Sequence, residues 1–94
     1  MRPSEQKIIK IAKMFPTLER HVAHLEEWDV EAFMDWLPRA SKGERHAMLF
    51  IAVLWNPTYA ASQGWEFNII RAAGEWDQAH HNAFLAWALK PEWP

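Results

Sequence analysis

Residues 41–55, SKGERHAMLFIAVLW, decide the fold of this 94-residue chain. Ser41 and Glu44 stand at the spacing of a capping box, in which each side chain bonds the other residue's backbone amide where a helix begins. From Ala47 to Trp55 the stretch is apolar without interruption, so periodicity alone does not separate a buried helix from a buried strand. Its length and the capping box favour a helix, which we expect to be central and buried on most sides.

On both sides of this helix, apolar residues at helical spacing predict further short helices. Asp29 and Asp77 are expected N-caps, and Trp28 with Phe33 has the spacing of a hydrophobic staple. No stretch alternates with period two for long enough to indicate a strand. The sequence therefore predicts an all-α bundle of six or seven short helices, at residues 4–15, 17–27, 30–37, 42–55, 57–63, 65–74 and 78–89.

Length and composition indicate one globular domain over residues 1–94, with an expected radius of gyration of about 12 Å. Half of the residues are hydrophobic and 23% are charged, which is ordinary for a folded domain. The longest apolar run is the one that ends at Trp55, far short of the roughly 20 residues of a membrane span. Charged residues interrupt the first 15 positions, so no signal-peptide core is expected there.

The scarcity of reactive residue types argues against several kinds of catalysis. The chain has no cysteine, which excludes disulfides, thiolate nucleophiles and cysteine-bound metal centres, and which fits a cytoplasmic location. Gly43, Gly64 and Gly74 lie far apart, so no glycine-rich loop can cradle a phosphate in the usual way. No serine has the flanking glycines of a nucleophile elbow. We therefore expect no cofactor and favour a non-enzymatic role.

Charge is distributed unevenly along a chain whose formal net charge is -2. Residues 1–15 are basic on balance, whereas residues 19–35 are acidic. One basic helix face beside an acidic segment is not the long basic stripe of a nucleic-acid-binding domain. Contact of Lys7, Lys10 and Lys13 with a membrane or a nucleic acid stays open as a second alternative, although an ordinary amphipathic helix explains these lysines more simply.

Histidines and carboxylates supply the first alternative, a small helical enzyme or metal-dependent protein. Metal ligands in helical bundles use such imidazole and carboxylate spacings, but the simpler interpretation is surface histidines in contact with solvent. Glu66 and His46 border apolar segments, which makes them the candidates for acid–base chemistry. The low-ranked metal alternative consists of His21, His24, His80 and His81.

The seven tryptophans are the most unusual feature of the composition. Most are expected in the core, because one ring buries on the order of 200 Å². A small interior cannot hold every aromatic ring, and exposed Trp and Tyr are enriched in protein-binding hot spots. The candidate partner-binding residues are Trp93, Trp65 and Tyr59. Trp93 lies in a tail, residues 90–94, which two prolines hold extended and which we expect to fold back onto the bundle.

Two sequence motifs recur in the same order. Residues 11–17, IAKMFPT, resemble residues 51–58, IAVLWNPT, and each segment is followed by an EWD motif, at residues 27–29 and 75–77. One hypothesis is an internal duplication of a three-helix unit, in residues 4–38 and again in 41–91. The alternative is chance, because helix ends reuse the same caps and prolines.

Taken together, these patterns favour a small helical protein–protein interaction module or regulator that uses a Trp-rich surface. A homodimer is one form that it could take. The sequence names no partner.

Overall fold

Seven α-helices and one short 3-10 helix make up the part of the chain that the computed structural model describes, residues 3–23 and 27–93. The all-α fold class is confirmed, and the radius of gyration is 12.1 Å. The elements are α1 (Pro3–Lys13), α2 (Glu19–Val22), α3 (Val30–Met34), a 3-10 helix (Leu37–Arg39), α4 (Lys42–Trp55), α5 (Pro57–Ser62), α6 (Ile69–Glu75) and α7 (Gln78–Leu89).

Helix α4 is central, as its apolar sequence predicts. It packs against α1, α3, α5 and α6, and most of its side chains from Ala47 onward are buried. Phe15 at the end of the first helical segment is fully buried, and its ring centroid lies 5.8 Å from that of Phe50 on α4. Helix α7 approaches the same ring through Phe84, at 5.3 Å. Phe50 is therefore the point at which the first and last helices meet the central one.

The helix caps follow the sequence signals closely. The Asp29 side chain accepts from the backbone amides of Glu31 and Ala32, and Asp77 caps α7 through the His80 amide at 2.9 Å. The ring centroids of Trp28 and Phe33 are 5.2 Å apart, which is the predicted staple contact. Both ends of α4 and of α7 lie where the sequence places them.

Other helix boundaries differ from the prediction, because a 3-10 turn or a capping side chain ends or begins the helix at another residue. Helix α3 ends at Met34, and Pro38 lies inside the 3-10 helix rather than after an α-helix. Helix α6 begins only at Ile69, because the Asn68 side chain accepts from the Arg71 amide and acts as an N-cap. The predicted helix 17–27 is reduced to α2, while residues 24–26 lie outside the described part of the chain.

The tryptophans are less buried than the sequence argument expects. Only Trp28 and Trp76 belong to the buried core. Three more are partly buried against that core, namely Trp55, Trp65 and Trp87, and Trp36 and Trp93 are exposed. The physical reason is area: a domain of this size encloses few large rings completely.

Glu44 departs from the expected capping box. Ser41 Oγ does accept from the Glu44 amide, at 3.4 Å, but the Glu44 side chain turns inward instead of returning to Ser41. Glu44 is only 2% exposed. Its Oε2 accepts from Arg20 Nη2 at 2.8 Å, and its Oε1 accepts from Trp36 Nε1 at 2.9 Å. This carboxylate therefore ties α2 and the segment after α3 to the start of α4.

The two proposed repeat units share local features but differ in helix number. Both EWD phrases place a buried tryptophan immediately before an aspartate that caps a helix. The described part of residues 4–38 contains three α-helices, whereas residues 41–91 contain four. The duplication stays a prediction, which superposition of the two units can check.

We predict that Glu44→Gln lowers the free energy of unfolding by about 1–3 kcal/mol, as expected when a buried group loses charge-assisted hydrogen bonds. The amide retains one acceptor for Trp36, but its NH₂ group faces the Arg20 guanidinium. Urea denaturation measures the effect. The control is Glu66→Gln, because Glu66 is exposed; it should change stability by less than about 0.5 kcal/mol. Equal effects of the two substitutions would contradict the proposed role of Glu44.

Candidate functional site

The tail, residues 90–93 in the described part of the chain, folds back onto α7 and α1. Trp87 Nε1 donates to the Glu92 carbonyl oxygen at 3.0 Å, and the Trp93 ring meets the Trp87 ring edge-on with centroids 5.4 Å apart. Lys10 Nζ lies 3.5 Å from Glu92 Oε1. An aromatic contact, an ion pair and the hydrogen bond from the Trp87 indole therefore hold the end of the tail in place.

An apolar groove runs beside this tail, and we call it the aromatic groove. Its volume is about 360 Å³, and none of the described residues that line it carries a charge. Trp93 forms one wall while 64% of its surface stays exposed to solvent. The lining residues are Phe50, Val53, Leu54, Pro57, Phe67, Trp87 and Trp93.

A second groove, which we call the tail groove, lies on the α1 side of the tail. It has a volume of about 240 Å³ and is lined by Lys10, Ile11, Met14, Ala86, Trp87, Lys90 and Glu92. Trp87 lines both grooves. The tail therefore contributes a wall to each groove, with Trp93 on one side and Glu92 on the other.

Tyr59 and Trp65 lie together but do not line the aromatic groove. Their ring centroids are 5.8 Å apart, across the turn at Gly64, whose φ of 75° lies in the left-handed region that favours glycine. Tyr59 Oη donates to Glu31 Oε1 at 2.8 Å. This hydrogen bond to a carboxylate disfavours the phenolate and raises the pKa of Tyr59. Of the three candidate partner-binding residues, Trp93 therefore lines the aromatic groove, whereas Tyr59 and Trp65 lie outside it.

Sequence reasoning passed over four exposed aliphatic residues in the C-terminal half. Ile70 is 83% exposed and Leu89 is 85% exposed, with Ile69 and Leu85 also open to solvent. The signal was present in residues 78–89, where apolar positions extend beyond the face that carries Phe84 and Trp87. Such a helix has more apolar surface than one contact face can cover.

His80 overturns the interpretation of the histidines as surface residues. It is only 3% exposed and lies between the rings of Phe15 and Trp76, at 6.1 Å and 6.4 Å. Its Nδ1 is 2.7 Å from Asp77 Oδ1, and its Nε2 is 2.7 Å from Thr17 Oγ1. The first turn of α7 is thereby joined to the turn that follows α1.

The Asp77 carboxylate fixes the arrangement of this hydroxyl, imidazole and carboxylate. Hydrogen bonds from the His80 side chain and the His80 amide lower the pKa of Asp77, since both favour the ionised carboxylate. An ionised carboxylate can only accept, so His80 Nδ1 donates to Asp77, and His80 Nε2 forms the second hydrogen bond with the Thr17 hydroxyl.

The remaining candidate residues are placed separately. His21 Nε2 lies 3.4 Å from Glu44 Oε2, His81 Nε2 donates to the Ala73 carbonyl at 2.8 Å, and His24 lies outside the described residues. In residues 3–23 and 27–93, no group of three or more metal-ligating side chains is assembled. Of the acid–base candidates, Glu66 is exposed, and His46 Nε2 lies 3.5 Å from Glu75 Oε2.

The three lysines of α1 differ in their surroundings. Lys7 and Lys13 are exposed, whereas Lys10 faces Glu92 of the tail rather than the acidic segment 19–35. None of the helices in the described residues has the length and apolar character needed to cross a membrane.

Compared with family models, curated proteins and solved structures, the chain gives no match. The functional argument therefore depends on the chemistry of the chain's own surfaces.

We predict that Asp77 contributes a pH-dependent part of the stability. Its pKa is lower in the folded state than in the unfolded chain, where an aspartate titrates at about 3.9. Its stabilising effect is therefore complete above that value and is lost as the pH falls through the folded-state pKa. Asp77→Asn keeps an oxygen for the helix cap but removes this titration.

Urea denaturation between pH 7 and pH 2.5 tests this prediction. The stability difference between wild type and Asp77→Asn should shrink as the medium becomes acidic. Asp35→Asn is the control, because Asp35 is exposed; its difference from wild type should not follow the same course. A constant difference for Asp77→Asn over the whole range would contradict the role of the carboxylate.

Proposed function

We propose that this protein is a non-enzymatic interaction module that binds apolar side chains of a protein partner in the aromatic groove. The observation that carries the proposal is an uncharged groove with a 64% exposed tryptophan as one wall. Tryptophan is enriched among the residues that dominate binding energy at protein interfaces. A volume of about 360 Å³ also lies within the range of established ligand pockets.

The way in which Trp93 is held supports this proposal. The edge-on contact with Trp87 and the hydrogen bond from Trp87 to Glu92 restrict the tail before any partner arrives. Immobilising a free side chain on binding costs about 0.5–1.5 kcal/mol, and a docked tail avoids part of that cost. The occupant should present aliphatic or aromatic side chains without a charge, because the described lining offers no group to pair with one.

Two finer statements belong to the same proposal. A second copy of the chain is one occupant that would suit the groove, since the molecule itself exposes aliphatic side chains such as Ile70 and Leu89. A cytoplasmic location is supported by the absence of cysteine from the sequence, which fits a reducing compartment.

A photo-crosslinking amino acid at Pro57 tests the groove in the cells that produce the protein. Pro57, at the start of α5, lines the groove and is exposed. The control position is Gln63, at the other end of α5, which is also exposed but does not line the groove. We expect a protein adduct from position 57, its loss with Trp93→Ala, and no such adduct from position 63. An adduct of twice 11.1 kDa would identify a second copy as the occupant.

The outcome against the proposal is equally concrete. Absence of an adduct from position 57, or the same adducts from both positions regardless of Trp93, would show that the groove is not a binding surface. Circular dichroism of Trp93→Ala serves as the folding control, because an exposed tail residue should be dispensable for the helices.

A second candidate function is hydrolysis of an ester or amide. It is favoured by the hydrogen-bonded chain of side chains that runs from Thr17 through His80 to Asp77. Thr17 Oγ1 would attack the carbonyl carbon while His80 Nε2 accepts its proton, and Asp77 would hold the ring and stabilise the imidazolium. His80 would then give that proton to the leaving alcohol or amine, and a water molecule would release the acyl group from Thr17. Both contacts of His80 measure 2.7 Å. Thr17 is partly exposed, so a substrate could reach its hydroxyl group.

A fluorophosphonate probe, which reacts with activated hydroxyls, tests this second candidate. Labelling at Thr17, detected by mass spectrometry, should persist in Thr17→Ser and disappear in Thr17→Ala and His80→Gln. If the wild-type protein is not labelled, Thr17 is not an activated nucleophile and the three residues serve the fold alone.

A further inference from the structure

A basic cleft separates the first turns of α4 from α6, and none of the functions above uses it. Its volume is about 280 Å³, and it is lined by Lys42, Arg45, His46, Arg71 and Glu75. Three of these side chains are permanent cations and one is a carboxylate. The cleft therefore carries a net charge of about +2 with His46 neutral, within a chain whose formal charge is -2.

The three cations of this cleft form no ion pair within the described residues, whereas two other Lys or Arg side chains do. Arg20 is paired with Glu44, and Lys10 is paired with Glu92. The one carboxylate of the cleft, Glu75, faces His46 Nε2 at 3.5 Å. Within residues 3–23 and 27–93, no ion pair joins Lys42, Arg45 or Arg71 to a carboxylate. All three cations are exposed to solvent, so an anion could reach them, and its binding would reduce their mutual repulsion.

We propose that this cleft binds the phosphate or diphosphate group of a small molecule. Arg45 and Arg71 come from two different helices and line the same cleft, and guanidinium groups bind phosphate oxygens in a bidentate manner. Lys42 adds a point charge. The Glu75 carboxylate opposes a bound anion, but His46 lies beside it and the cations outnumber it by three to one.

The size of the cleft favours a small ligand over a nucleic acid. Nucleic-acid-binding proteins carry their basic residues along a stripe or a whole face, whereas these cations converge on one cleft of about 280 Å³. The diphosphate group is the chemistry that three convergent cations suit best, because it distributes its negative charge over two phosphorus centres.

Titration with pyrophosphate, followed by amide chemical shifts in NMR, tests the proposal. Sodium chloride at matched ionic strength serves as the blank. We expect saturable shifts confined to residues 42–46 and 71–75. The double variant Arg45→Gln/Arg71→Gln should bind at least about tenfold more weakly, since each charge-assisted hydrogen bond contributes at least that factor. Its charge-matched control is Lys7→Gln/Lys13→Gln, which should bind as the wild type does.

Three results would overturn the proposal. The first is the absence of saturable shifts with pyrophosphate. The second is an equal loss of affinity in the two double variants, which would indicate a general charge effect. The third is tighter binding of a short single-stranded oligonucleotide than of pyrophosphate at the same residues, which would make the cleft part of a nucleic-acid surface. Lys42→Gln, a single change at an exposed position, replaces the double variant if that variant does not fold.

Discussion

The rest of the structure depends on one constraint, which is that helix α4 is apolar on nearly every side from Ala47 onward and must be covered there. A chain of 94 residues has few residues left to cover it, so large rings do much of the work. Each aromatic side chain buries about 150–250 Å². Rings from the turn after α1, from the segment before α6 and from α7 converge on Phe50 of α4.

Covering α4 also encloses polar groups, and the fold gives hydrogen-bond partners to the two buried ionisable side chains, Glu44 and His80. Glu44 enters the interior with a guanidinium and an indole N–H bound to it, and His80 enters with a carboxylate and a hydroxyl. A buried polar group without such partners costs about 1–3 kcal/mol. Because the partners come from distant parts of the chain, these contacts also fix which segments lie together. Glu44 joins the α2 region to α4, and His80 joins it to α7.

Features that depend on residues close together in the sequence were predicted, whereas features that depend on residues far apart in the sequence were not. The bounds of α4 and α7, the Asp caps and the Trp28 staple depend on residues within a few positions, and they were predicted correctly. His80 and Glu44 were misjudged because their partners, Thr17 and Arg20, lie 63 and 24 positions away. The sequence pointed to Trp93, but the groove beside it is formed by residues of α4, α5, α7 and the segment before α6, which only the tertiary packing brings together.

The shared tail has a thermodynamic consequence for the two grooves beside it. Residues 90–93 give Trp93 to the aromatic groove and Glu92 to the tail groove, while Trp87 belongs to both. An occupant that moves the tail in one groove thus reshapes a wall of the other. Linkage then requires the effect to be reciprocal: whatever factor the first ligand imposes on the affinity of the second, the second imposes on the first. Any ligands of the two grooves would therefore be coupled through the four residues, 90–93, that follow α7.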